Sequence, residues 1–237
     1  KKLLSIIDNT DVKELLEYKE DIIPKSVWIV GGDGWAYDIG FGGLDHVLAT
    51  GSNVNILVLD TEVYSNTGGQ TSKSTNIGSV NKFAITGCKQ SKKNLAKYAL
   101  TYENVYVAQV SLGANPNQVI NAFKEAKEYN GPSIIIAYAP CIEHGLKNGM
   151  GTSEQETKEA TLSGYFPIFR YNPIEKKFTL DSKADFDKYE DFLMSEARYK
   201  VLEKTNPFEK DMLIEKNKEE AINRYEFYKN KMEKNNE

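Results

Sequence analysis

The 237-residue sequence is poor in the residues on which disulfide-rich, histidine-based and nucleic-acid-binding proteins depend. It contains two cysteines and two histidines, so it holds no disulfide framework, and neither histidine lies in an HExxH or Ser-His-Asp-like order. Basic residues are not clustered and the formal net charge is −4, which disfavours a nucleic-acid-binding surface. No apolar run approaches the roughly 20 residues that cross a bilayer. These absences predict a cytoplasmic protein of a reducing compartment that binds neither nucleic acid nor membranes.

The sequence instead alternates short apolar, β-prone runs with segments of helical periodicity. This pattern is typical of an α/β fold, a doubly wound and mainly parallel sheet with helices on both faces. Pro116 suits the first turn of a helix, and Asn115 before it suits the N-cap. The predicted strands cover residues 27–30, 55–59, 105–110 and 133–138, and the predicted helices cover residues 39–50, 92–101 and 116–129.

Composition divides the chain into three parts. The predicted parts are an amphipathic lead from a preceding domain (residues 1–25), an α/β domain (residues 26–180) and a charged helical extension (residues 181–237). We also expect a helix to start at residues 152–155 and a short strand at residues 166–171. The extension should form two helices with a break at residues 205–207. Its Lys/Glu density favours a solvated helix face over a docking site.

A glycine-flanked acid follows the first predicted strand, and a polar loop follows the second. Asp33 ends the first run within Gly-Gly-Asp-Gly, and Thr61 follows the second run 28 positions later. A lone Gly-Asp-Gly equally caps a helix or shapes a turn. The carboxyl ends of neighbouring parallel strands share one crevice, however, so the two residues can share one ion. Their oxygens suit Mg²⁺, which also takes waters and phosphate oxygens.

The sequence around these residues resembles the thiamine-diphosphate motif, and in particular the carboxyl-terminal domain of pyruvate:ferredoxin (flavodoxin) oxidoreductases. The resemblance covers roughly residues 26–198. It rests on the phrases GDGWAYDIG, LDTEVYSNTGGQ, VYVAQVSLGA, GPSIIIAYAPCIEHGLKNGM and FRYNP. Thiamine enzymes more often carry Asn at the position of Thr61, although a hydroxyl is also a hard oxygen donor.

The resemblance implies roles for individual residues. It makes Asp33, Thr61 and the main-chain oxygen of Val63 the magnesium ligands. Asn66 would be the catalytic residue, because the matching amide lies beside the reacting keto acid; alternatively it only forms a turn before Thr-Gly-Gly. The implied cofactor-binding residues are Gly32, Asp33, Gly34, Trp35, Thr61, Glu62, Val63, Tyr64, Ser65 and Asn66.

Cys141 alone would be interpreted as a small core residue, but by resemblance it supplies the fourth thiolate of a 4Fe–4S cluster shared with an upstream segment. Two cysteines cannot build such a cluster alone. Cys88 has no matching role. His144 either tunes the cluster or lies on an exposed loop, His46 has a structural interpretation, and Lys73 is not assigned.

The implied whole enzyme binds thiamine diphosphate, Mg²⁺ and 4Fe–4S clusters, converts pyruvate and coenzyme A to acetyl-CoA and CO₂, and reduces ferredoxin or flavodoxin. It would be a homodimer whose other domains or subunits complete the site, so we expect this chain alone to be inactive. Two alternatives stay open: a nonoxidative thiamine enzyme or nucleotide-binding oxidoreductase domain, and a purely structural or regulatory module. Against a dinucleotide site, Tyr37 stands where the last glycine of GxGxxG belongs.

Overall fold

A six-stranded sheet organises the computed structural model, which describes Tyr18 and residues 25–234. The lead predicted for residues 1–25 therefore lies almost wholly outside the described residues. The strand order is β1-β2-β6-β5-β7-β8, in which the first four strands are parallel and the last two antiparallel. The strands are β1 (Trp28–Gly32), β2 (Asn55–Asp60), β5 (Tyr106–Val110), β6 (Ser133–Tyr138), β7 (Phe169–Asn172) and β8 (Lys177–Leu180); β3 (Val63–Tyr64) and β4 (Gln70–Thr71) form a separate hairpin.

The predicted α/β fold with a mainly parallel sheet is confirmed. Helices connect the parallel strands, and a π-helical turn, Gly34–Ile39, precedes the first of them. Both faces of the sheet are covered, since alternate residues of one strand join two separate apolar clusters: Val107 lies in the larger and Ala108 in the smaller. The connecting helices are α1 (Phe41–Thr50), α2 (Leu95–Ala99), α3 (Pro116–Glu128) and α4 (Ser153–Leu162).

Local sequence explains where these helices begin. The Asn115 side chain accepts a hydrogen bond from the Gln118 amide at 3.0 Å, which confirms the predicted cap of α3. Asn94 caps α2 in the same way, through the Lys97 amide at 2.8 Å. Because Asn94 accepts that bond, α2 begins three residues later than its apolar periodicity predicts. β8 was not predicted; it returns antiparallel to β7 after a tight turn that contains Lys176 at φ +50°.

The described residues of the C-terminal part form four α-helices, where two helices were predicted. Glu196 has extended backbone and pairs with Leu146, which interrupts the first predicted helix. The predicted break at residues 205–207 is confirmed. The four helices are α5 (Tyr189–Ser195), α6 (Ala197–Lys200), α7 (Leu202–Thr205) and α8 (Lys210–Lys234). Their buried apolar residues, among them Leu193, Leu202 and Tyr228, belong to the larger apolar cluster of the sheet.

Within the described residues no helix has both the length and the apolar composition to cross a membrane.

Candidate functional site

The carboxyl ends of β1 and β2 bring together three oxygen atoms that could ligate a metal ion. Gly32 pairs with Leu59 in the parallel register, so Asp33 and Thr61 lie side by side where the strands end. The Thr61 hydroxyl lies 2.7 Å from Asp33 Oδ1 and 3.0 Å from the Val63 carbonyl oxygen. The structure thus joins the three residues that the sequence analysis nominated as magnesium ligands.

The donor set at this point fits a hard cation. One hydroxyl hydrogen cannot satisfy two acceptors fully, so Thr61 leaves either Asp33 Oδ1 or the Val63 carbonyl oxygen without a full hydrogen bond from it. Asp33 is buried, and in the described part of the chain it forms no ion pair. Three clustered oxygens, one of them anionic, are the ligand type that Mg²⁺ binds.

Hydroxyl groups occupy the other oxygen of the same carboxylate. Ser72 and Ser74 donate to Asp33 Oδ2 at 2.6 and 2.9 Å. Burial raises the pKa of Asp33, and the nearby Asp60 carboxylate raises it further, whereas the hydrogen bonds from Ser72, Thr61 and Ser74 lower it. A bound cation would counter both raising effects. The two serines lie in the polar loop that the sequence singled out, but nothing in their spacing marked them as partners of Asp33.

A cleft of about 430 Å³ opens at this point and is lined by nine of the ten candidate cofactor-binding residues. Gly34 is required here, because a Cβ at that position would overlap the Tyr64 ring. The lining residues are Gly32, Asp33, Gly34, Trp35, Ile39, Leu59, Thr61, Val63, Tyr64, Ser65, Asn66 and Thr67.

Asn66 lies at the tip of the β3–β4 hairpin, in a single 3₁₀ turn, Ser65–Thr67. Gly68 and Gly69 follow it at φ +95° and +84°, a backbone conformation that favours glycine, and let the chain return into β4. The hairpin therefore presents the Asn66 amide on the wall of the same cleft as Asp33.

Glu62 is the tenth candidate, and it does not line the cleft. Its side chain points the other way and is buried, with Oε1 2.7 Å from Lys92 Nζ and Oε2 2.7 Å from Arg198 Nη2. Sequence reasoning found neither of these cationic partners. Lys92 offered no signal beyond its charge, and Arg198 is 136 positions away in a segment interpreted as a solvated extension.

The buried Arg198 and the partly buried Lys92 face three carboxylates. Lys92 pairs with Asp60 at 2.8 Å as well as with Glu62, and Arg198 pairs with Glu196 at 2.7 Å as well as with Glu62. Burial would raise the pKa of Glu62, but Lys92 and Arg198 hold it well below its usual value. Burial raises the pKa of Glu196 to about 7, against the lowering effect of Arg198. The network has one more carboxylate than it has cations, and Glu196 is the carboxylate whose pKa is raised.

Cys141 follows β6 at the same edge of the sheet. It is half-buried, and its amide donates to His144 Nδ1 at 3.0 Å across a 3₁₀ turn, Ile142–His144. His144 is fully buried, so its interpretation as an exposed loop residue is wrong; burial lowers the pKa of His144 well below its ordinary value. Cys88 is buried elsewhere and is a free thiol, as is Cys141.

Two further residues lie outside the cleft lining. Lys73 forms an ion pair with Asp38 at 3.1 Å, and His46 is exposed on α1. Within residues 25–234, no group of three or more His, Cys, Asp or Glu side chains is arranged to hold a metal ion. The oxygen cluster at Asp33 differs from such groups because a hydroxyl and a carbonyl supply two of its three donors.

Comparison with known proteins identifies the family of this chain. The family model "Thiamine pyrophosphate enzyme, C-terminal TPP binding domain" matches residues 18–137, just over half of the chain. The pyruvate-flavodoxin oxidoreductase of Klebsiella pneumoniae is 49% identical over 92% of this chain and 19% of its own length. The pyruvate:ferredoxin oxidoreductase of Moorella thermoacetica is 51% identical over 92% of this chain, again 19% of its own length.

The mitochondrial NADP⁺-linked pyruvate dehydrogenase of Euglena gracilis is 50% identical over 90% of this chain and 12% of its own length. A solved 2-oxoglutarate:ferredoxin oxidoreductase from Magnetococcus marinus aligns at 25% identity and a TM-score of 0.47, over 56% of this chain and 45% of that chain. The chain thus spans about a fifth or less of the length of these curated relatives. By the family match, it belongs to the thiamine pyrophosphate enzymes, as a C-terminal TPP-binding domain.

Proposed function

We propose that this chain is the part of a pyruvate:ferredoxin or pyruvate:flavodoxin oxidoreductase that holds the diphosphate of thiamine diphosphate through Mg²⁺. The convergence of the Asp33, Thr61 and Val63 oxygens at one point carries the proposal. The roughly 50% identity to relatives with these names supports the choice of pyruvate over other 2-oxoacids.

The proposed ligand set follows from the donors present. Asp33, Thr61 and the Val63 carbonyl would bind Mg²⁺, and oxygens of the diphosphate would complete its coordination. Ser72 and Ser74 orient the Asp33 carboxylate through its second oxygen. Mg²⁺ carries two positive charges and the single carboxylate ligand one negative charge. The occupied site would therefore have a net positive charge, which attracts a diphosphate.

Other residues of the cleft hold and shape the cofactor. Gly32 and Gly34 let the backbone approach it, and Trp35 and Tyr64 form apolar walls. Asn66 would donate a hydrogen bond to the substrate as negative charge develops on it, since an uncharged amide can do so without being consumed. When bound, thiamine diphosphate supplies the carbon nucleophile and the electron sink for decarboxylation.

The rest of the reaction belongs to the complete enzyme. Upstream domains or subunits would supply the pyrimidine site, the coenzyme A site and three thiolates, with Cys141 as the fourth ligand of a 4Fe–4S cluster. Electrons would then leave to ferredoxin or flavodoxin. We further propose a cytoplasmic homodimer for that enzyme, and no turnover by this chain alone.

Calorimetric titration with thiamine diphosphate, with and without Mg²⁺, tests the proposal. We expect binding that requires Mg²⁺ and that Asp33→Ala abolishes, because the variant removes the one anionic ligand. Asp45→Asn is the matched control. Asp45 lies on α1 outside the cleft lining, and its carboxylate accepts hydrogen bonds from the Tyr98 and Tyr102 hydroxyls. Binding without Mg²⁺, or equal binding by Asp33→Ala, would refute the proposed site.

A further inference from the structure

Glu62 has an unusual backbone conformation between two proposed ligands. It lies between Thr61 and Val63 at φ +58°, in the left-handed region that residues with a Cβ rarely adopt. The β3–β4 hairpin begins at the next residue. A residue in this conformation persists only when its surroundings hold it there.

Hydrogen bonds to the Glu62 carboxylate hold the residue in this conformation. Lys92 Nζ and Asn76 Nδ2 each lie 2.7 Å from Oε1, while Arg198 Nη2 at 2.7 Å and Tyr165 OH at 2.6 Å donate to Oε2. Four donors therefore fill the acceptor sites of one buried carboxylate.

The Glu62 main chain is fixed as well. Its amide donates to Asp60 Oδ1 at 3.2 Å, and its carbonyl oxygen accepts from Thr75 Oγ1 at 2.6 Å. Because Thr61 and Val63 are joined directly to this residue, their positions depend on it. The Thr61 hydroxyl and the Val63 carbonyl face the cleft, whereas the anchored carboxylate faces the interior.

We propose that Glu62 is a positioning residue of the magnesium site, anchored by Lys92 and Arg198 so that the Thr61 hydroxyl and Val63 carbonyl meet at one ion. The inference rests on the proposed function, because it assigns a support to that same site. It also makes the C-terminal part of the chain, through Arg198, necessary for full cofactor affinity.

Arg198 reaches Glu62 because the backbone around it is tied to another loop. Ala197 donates to the Gly145 carbonyl at 2.9 Å, and Lys147 donates to the Ser195 carbonyl at 3.1 Å. Arg198 Nε then binds Glu196 at 2.7 Å, which leaves Nη2 directed at Glu62. The guanidinium is fully buried, so solvent does not weaken these contacts.

The Glu62→Gly variant distinguishes two roles of Glu62, anchoring by its carboxylate and formation of the turn by its backbone. Glycine adopts positive φ without strain, so the variant keeps the turn and removes only the carboxylate. Supporting contacts of metal ligands typically change metal affinity 10–100-fold. In the complete enzyme we therefore expect the Mg²⁺ concentration for half-maximal thiamine diphosphate binding, measured by calorimetry, to rise at least about tenfold.

Kinetics give a second readout. If Glu62 acts by positioning the ion, saturating Mg²⁺ should restore kcat to within about twofold of wild type while the apparent KM for Mg²⁺ stays raised. Glu125→Gln is the matched control, because Glu125 also pairs with an arginine, Arg170, but at the opposite end of the strands, beside Tyr106. We expect it to bind Mg²⁺ as the wild type does.

Two variants separate failure of the inference from failure of the proposed function. Unchanged Mg²⁺ affinity in Glu62→Gly, with Asp33→Ala still abolishing binding, overturns the inference alone. Unchanged affinity in both variants overturns the proposed site and the inference with it. Where Glu62→Gly yields no folded enzyme, Arg198→Lys replaces it, since lysine keeps the buried charge but loses the forked geometry. Arg198→Lys should then weaken Mg²⁺ binding, and unchanged binding overturns the inference.

Discussion

At the scale of single residues, the proposed metal site depends on the Thr61 hydroxyl. It holds Asp33 Oδ1 and the Val63 carbonyl oxygen within hydrogen-bonding distance of itself, but has only one hydrogen to share. A cation in place of that hydrogen would attract all three oxygens at once.

Thr61→Val therefore tests the hydroxyl itself. Valine keeps the branched shape and removes the oxygen, so we expect Mg²⁺ affinity to fall at least about tenfold, the lower end of the effects seen for supporting contacts. Thr61→Ser is the control, because it keeps the oxygen and should retain most of the affinity. The measurement is Mg²⁺-dependent binding of thiamine diphosphate by calorimetry. Equal affinities for the valine and serine variants would show that Thr61 is not a ligand.

Glu196 predicts how stability depends on pH. Its folded-state pKa of about 7 lies above its ordinary value of 4.5, so the folded protein binds a proton that the unfolded chain has lost. The stabilisation that this proton binding gives the folded state is complete below about pH 4.5 and disappears as pH rises through 7. The full difference is on the order of 3 kcal/mol, since one pKa unit corresponds to about 1.4 kcal/mol.

Glu196→Gln removes this titration. We expect the free energy of unfolding of the wild type, relative to the variant, to decrease between pH 5 and pH 8, measured by urea denaturation at several pH values. A relative stability that did not change across this range would mean that Glu196 is ionised throughout and that Arg198 outweighs its burial.

At the scale of elements, the sequence predicted the parts of the fold that depend on local signals. Periodicity and the Asn115 cap located β6 and α3, and parallel pairing of β1 with β2 implied that Asp33 and Thr61 would meet. The buried ion pairs could not be predicted. Arg198 and Glu62 are 136 positions apart, and a charged residue in a Lys/Glu-rich helical segment carries the same local signal whether it is solvated or buried.

The division of the extension into helices was missed for a related reason. Only the pairing of Glu196 with Leu146, a tertiary contact, interrupts the helical periodicity there. The predicted domain boundary at residue 180 stays a prediction. The packing of Leu202 and Leu213 against the loop at Gly78 and Gly87 provides a way to test it.

Leu213→Ala is that test. Leu213 is buried in α8 and contacts Gly78 and Gly87, so truncation leaves a cavity between the extension and the α/β domain. We expect the free energy of unfolding to fall by about 2–5 kcal/mol, with one cooperative transition. Tryptophan fluorescence would report the α/β domain, which contains Trp28 and Trp35, and circular dichroism would report the helices of both parts. Two transitions at different denaturant concentrations would show that the extension unfolds as an independent unit.

At the scale of the whole molecule, three relatives named for different electron carriers resemble this segment to a similar degree. Proteins named for flavodoxin, ferredoxin and NADP⁺ are 49%, 51% and 50% identical to it. Exchange of this segment between a ferredoxin-linked and a flavodoxin-linked relative should therefore leave the preferred acceptor unchanged. Steady-state rates of the chimaera with both carriers are the measurement, and a reversed preference would locate acceptor recognition here.

The two cysteines differ in burial, and the proposed cluster uses only Cys141. Cys141 is half-buried in a turn at the carboxyl edge of the sheet, whereas Cys88 is buried in the segment that precedes α2, with its thiol 3.5 Å from the Gln90 carbonyl oxygen. Since a 4Fe–4S cluster needs four thiolates, this chain alone should hold none after reconstitution with iron and sulfide. In the complete enzyme, Cys141→Ser should reduce the iron content by one cluster and Cys88→Ser should leave it unchanged. Full iron content in Cys141→Ser would instead mean that every cluster ligand lies outside this domain.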